Sequence, residues 1–91
     1  MLGGFGETKQ ADSDVQTVAD ACKGDAEELL GKSFNTWTAV TYQTKVVNGL
    51  NYKIQIKTDS GYVHLHCHKA SSTGEIDFGN AIDGKSESDP L

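Results

Sequence analysis

The sequence predicts an α+β domain, one N-terminal helix packed on an antiparallel sheet of four to five strands. Three observations carry this. Apolar residues recur at helical spacing between residues 13 and 31. From residue 34 onward the period changes to two, with β-branched and aromatic residues in excess. Strong turn signals, Asn48-Gly49 and Asp59-Ser60-Gly61, then divide the strand-like runs.

Taken in order, residues 1–12 are glycine-rich and then polar, and read as an extended, flexible arm. Ser13 with Gln16 fits a capping box, flanked by Asp12 and Asp14, whose charges favour a helix N-terminus. Val15, Val18, Ala19, Cys22, Ala26, Leu29 and Leu30 fall on one stripe of the helix that follows. Gly24 interrupts it at a cost of about 1 kcal/mol and marks a bend. Gly31 is the expected stop. The meander spans residues 34–82. FNTWTAVTYQTKVV is its first strand, with a bulge expected at Ala39-Val40, where the alternation stumbles. LNYKIQIKT sets Tyr52, Ile54 and Ile56 on one face and Asn51, Lys53, Gln55 and Lys57 on the other. YVHLHCHK returns as a third strand, a loop over 70–75 follows, and Ile76 to Ile82 form a last, short strand. The tail, residues 83–91, is polar and expected to fray.

Bulk properties narrow the function. A chain of 91 residues is one domain with a modest core. A formal charge of −5 argues against nucleic acid, whose recognition rests on neutralising phosphates. No apolar run reaches the ~20 residues a membrane span needs. The first ten residues hold neither a cationic start nor the apolar run of a secretory signal, so a cytoplasmic location is expected. Cys22 and Cys67 allow one disulfide. A reducing compartment and the lack of a C-x-x-C pair favour two buried free thiols.

His64, His66 and His68 raise the question of a metal. Alternation puts them on the face opposite Val63, Leu65 and Cys67, so the imidazoles are expected to point to solvent and the thiol inward. At about 3.3 Å per residue, His64 and His68 stand ~13 Å apart, too far to share one ion. Neither a metal nor a cofactor is expected. Serine, histidine and aspartate are present but in no nucleophile elbow or activated pair, so the chain is not read as an enzyme. Glu27-Glu28 reads as a solvated helix face.

Two stretches suggest binding. KVVNG, residues 45–49, brings Val46 and Val47 to a hairpin tip, which is ordinarily the most solvated point of a meander. Gly3-Gly4 lets the arm's backbone press close to a partner surface. MLGG, VQTVADACK, AVTYQTKVVNG, NYKIQI, VHLHCHK and the polar tail follow one another in an order and spacing that resemble the stefins, the type 1 cystatins, over about 80 residues. KVVNG lies where that family has Gln-Val-Val-Ala-Gly.

The resemblance implies a cystatin-like fold, a twisted sheet around one helix. It also implies reversible, tight-binding inhibition of papain-like, cathepsin-type cysteine proteases by a three-part wedge. Carried over by position, the protease-binding residues are Gly3 and Gly4 of the arm, Val46, Val47, Asn48 and Gly49 of the first hairpin, and Ser71 and Ser72 of a second loop. Lys45 flanks the first hairpin. Lys45 replaces the family's glutamine, Asn48 its alanine and Ser71-Ser72 its Leu-Pro pair, and the tail lacks a terminal aromatic. These changes imply a weaker inhibitor that relies on the arm and first hairpin. A monomer is expected, with a domain-swapped dimer reachable by opening that hairpin. The alternative reading keeps the fold as an interaction or metal-binding module without inhibition.

Overall fold

A computed structural model describes residues 4–91. The elements run β1 (Lys9–Gln10), α1 (Ser13–Ala21), α2 (Lys23–Leu30), β2 (Trp37–Val46), β3 (Gly49–Thr58), β4 (Gly61–Ala70) and β5 (Ile76–Lys85). All five strands form one antiparallel sheet in sequence order. Two helical segments pack against it, which makes the class α+β, as expected.

The expected single helix is in fact two. The break falls at Cys22, not Gly24, which lies inside α2. Cys22 has φ −101° and ψ −3°, and its N–H turns to the Ala19 carbonyl at 3.1 Å. That same carbonyl also accepts from the buried Trp37 Nε1 at 3.0 Å. The N-terminus also differs from the capping-box expectation. Asp12 is the cap, its Oδ1 accepting from Val15 N at 3.0 Å. Gln16 instead reaches β2, donating to the Trp37 carbonyl at 3.1 Å and accepting from Ala39 N at 2.8 Å. Val15, Val18, Ala19, Cys22 and Ala26 of the predicted stripe are buried, whereas Leu29 is exposed. Glu27 is not merely solvated: its Oε2 accepts from Phe34 N at 2.8 Å and fixes the turn out of α2. Gly31 ends α2 at φ 68°, a left-handed C-cap that suits glycine.

In the sheet, the register shift between Ala39 and Thr41 is the expected bulge. Tyr52, Ile54 and Ile56 of β3 and Val63, Leu65 and Cys67 of β4 face the helices and form the core with them. β5 runs three residues beyond the expected Ile82, to Lys85.

The tail does not simply fray. Ser86 N donates to Asp89 Oδ2 at 2.8 Å, and Gln55 Nε2 donates to the Glu87 carbonyl at 3.0 Å, which lays the tail over the outer face of the sheet. This overturns part of the histidine reading. His64 pairs across from Gln55 and is only 4% exposed, with its Nε2 lacking any hydrogen-bond partner. His66 and His68 are half-buried rather than open to solvent.

Candidate functional site

The sheet register gathers the arm, the first hairpin and the second loop at one end of the molecule. The arm runs antiparallel along the free side of β2, with Lys9 opposite Tyr42 and Gln10 opposite Thr41. Gly6 N donates to the Thr44 carbonyl and Ala11 N to the Val40 carbonyl, both at 2.9 Å. From Gly6 onward the arm is therefore pinned rather than loose. Gly4 is exposed, and a Cβ there would meet nothing within 4 Å. Gly3 lies outside the described residues. Phe5 turns onto the outer face, where Lys53 Nζ stands 4.4 Å from its ring centroid. A cavity of about 280 Å³ opens there among Phe5, Asn51, Lys53, His66, His68 and Asp77.

The first hairpin is one residue longer than a two-residue Asn-Gly turn. Val46 pairs with Leu50, so Val47, Asn48 and Gly49 form the loop, closed by Val47 N to the Gly49 carbonyl at 3.1 Å. Asn48 has φ 47° and Gly49 φ 115°, left-handed conformations that asparagine tolerates and glycine adopts freely. Val46 is 81% exposed and Val47 41%. Apolar side chains held in water on a well-paired hairpin are a surface that gains from being covered. Lys45 is half-buried, opposite Asn51.

Ser71 and Ser72 are exposed on the β4–β5 loop, which Ala70 N to the Glu75 carbonyl and Gly74 N to the Ala70 carbonyl close at 2.9 Å each. A Cβ on Gly49 would lie 2.9 Å from Ser71 N, so the two loops touch through backbone. Between them Val46, Leu50, Lys69, Ala70 and Ser71 border a second hollow of about 360 Å³. Of the residues named from sequence, Val46, Val47, Asn48, Gly49, Ser71 and Ser72 thus share one end, and Gly4 precedes the arm segment that runs beside Thr44.

Cys22 and Cys67 are free thiols buried in the core. The contact with Cys22 and burial push the Cys67 thiol up, which keeps it protonated. Among the described residues, no group of three or more His, Cys, Asp and Glu side chains is placed to hold a metal ion. Burial, with Lys53 nearby, lowers the His66 pKa.

A cystatin-domain model matches residues 3–73, which include both the arm glycines and the Val46–Gly49 tip. The chain belongs to the cystatin family. It is 34% identical over 90 residues to cystatin-A2 of Dictyostelium discoideum, covering 99% of this chain and 94% of that one. Cystatin-B of Oplegnathus fasciatus is 36% identical over 94 residues, covering all of this chain and 94% of its own length. Stefin-C of Bos taurus is 38% identical over 65 residues, covering 70% of this chain and 64% of the bovine one. Cystatins inhibit cysteine proteases and are not enzymes, so this cystatin's partners are cysteine proteases. No described helix is long and apolar enough to cross a membrane.

His68 was missed from sequence as a part of this end. Its Nε2 lies 2.9 Å from the Val47 carbonyl oxygen. A histidine at alternate spacing from its neighbours reads only as a face residue. Its reach to the hairpin depends on the pairing of β3 with β4 and on the shape of the loop.

Proposed function

We propose that this cystatin is a reversible, tight-binding inhibitor of papain-like, cathepsin-type cysteine proteases, acting in the cytoplasm as a monomer. The observation that carries the reading is the exposed Val46–Val47 pair at the tip of a hairpin braced by Gly49 against the second loop. A papain-like protease holds its thiolate–imidazolium pair in a cleft, and a blocker need only fill that cleft without presenting a peptide bond to attack. The hairpin enters first, and strand pairing keeps its ordering cost low. The arm, through Gly3 and Gly4, lies along the substrate subsites, and Ser71-Ser72 makes a polar second contact without apolar grip. Lys45 flanks the tip and tunes affinity. The net charge of −5 acts on encounter rate more than on strength. Exchange of strands at the first hairpin would hide the tip, so a swapped dimer is the inactive form.

The test is a titration of active papain with the full chain, following residual peptidase activity. A linear fall to zero near one equivalent is expected. Removal of residues 1–4, or Val47→Asp, should each weaken inhibition at least tenfold while leaving the unfolding midpoint in place. Undiminished inhibition by both variants, or none by the folded parent, would refute the wedge.

A further inference from the structure

The exposed loop of the first hairpin is held from the side by a residue of β4. The Val47 peptide is fixed at both ends: its N–H bonds to the Gly49 carbonyl, and its carbonyl oxygen lies 2.9 Å from His68 Nε2. A carbonyl only accepts, so His68 Nε2 carries the proton, in the Nε2–H tautomer or as imidazolium. His68 projects from the outer face, where it pairs with Asn51 on one side and Asp77 on the other. The β3 pairing is unbroken there, while the β5 register shifts between His66 and Cys67 and resumes at Cys67, so the ring's base is held chiefly from the β3 side. Gly49 rests on the second loop, but the side chains ahead of it are open. Val46, Val47 and Asn48 are exposed, and Asn48 occupies a left-handed conformation that most residues avoid.

We infer that His68 is a positioning residue of the first hairpin, holding the Val47 peptide so that Val46 and Val47 present one arrangement before a protease arrives. The inference deepens the inhibitory reading above and rests on it. Without the tie the loop samples more conformers, and binding must order them. A solvent-accessible hydrogen bond of this kind corresponds to about three- to tenfold in binding.

The experiment compares the full-length parent with His68→Leu, which keeps bulk and removes the donor, and His68→Gln, which restores an N–H donor. Inhibition of papain is measured for each. Nitrogen relaxation of Val47, Asn48 and Gly49 is recorded on the free proteins, with the His68 tautomer read from long-range proton–nitrogen correlations. The expected result has three parts: an Nε2–H ring, a His68→Leu inhibition constant raised about three- to tenfold with a more mobile loop and an unchanged unfolding midpoint, and recovery in His68→Gln. Equal inhibition by His68→Leu and an active parent would overturn the role of His68 alone. Equal losses in His68→Leu and His68→Gln, or a ring protonated only at Nδ1, would also overturn it. A parent that does not inhibit would instead bring down the inhibitory reading and the role of His68 with it.

Discussion

Gly49 lies so close to Lys69 that a Cβ on the glycine would overlap the lysine's carbonyl oxygen. The two hairpin loops are therefore joined by bare backbone, and φ 115° at Gly49 excludes most other residues independently. Gly49→Ala is expected to cost on the order of 2–3 kcal/mol in stability, through strain and displaced strands. Urea unfolding measures this. Binding to papain should fall as well, because the tip can no longer rest on Ser71.

The helix cap gives a prediction that separates neighbours. Asp12→Ala removes the acceptor for Val15 N and should lower stability by about 1 kcal/mol. Ser13→Ala should lie within about 0.5 kcal/mol of the parent. A larger effect at Ser13 would restore the capping box that the sequence suggests.

His64 predicts how stability follows pH. Burial, then Lys85, lowers its pKa in the folded protein; Asp89 opposes the shift, and His66 and Lys53 add smaller lowering contributions. The unfolded chain titrates this histidine near 6.5. Below that pH the unfolded state binds the proton more readily, so the stabilisation is intact above about 6.5 and is lost as pH falls toward the lower folded value. Denaturant midpoints should thus drop from pH 7 to pH 5, and His64→Gln should flatten the drop. His66, whose pKa is also lowered, leaves a residual slope.

Phe5 fastens the arm. Phe5→Ala removes the ring from Lys53 and should raise amide exchange at Gly6 about two- to fivefold, in line with a cation–π contact of about 0.5–1 kcal/mol. Hydrogen-exchange mass spectrometry reads this directly.

The thiols should be silent in the folded state. Cys22 and Cys67 are both buried, so a thiol reagent is expected to modify them only as the protein unfolds, at the global unfolding rate.

The sheet was legible because alternation in β3 and β4 is strict, and a one-residue slip would place Ile54 or Leu65 in water. The bulge showed itself for the same reason, as a stumble in that pattern at Ala39-Val40. The tip residues could be placed because Asn48-Gly49 has few alternatives to a turn. What escaped depends on contacts distant in sequence. Gln16 is drawn from a local cap to the β2 backbone. The helix breaks at Cys22 where Trp37 arrives, and Gly24 is carried along as an ordinary helical residue. His64 is buried by a tail some 20 residues away, whose polar composition gives no sign of where it folds.

The arm does more than lead into the helix: between Gly6 and Ala11 it closes the rim of β2, while β5 forms the other rim. That second rim carries Asp77, Asp83 and Lys85, and register slips in its pairing with β4, which discourage another chain from adding a strand. The β2 rim has mainly the arm as cover. Trimming residues 1–4 leaves that cover in place, but cutting on through Ala11 would uncover a ten-residue strand and invite edge-to-edge aggregation.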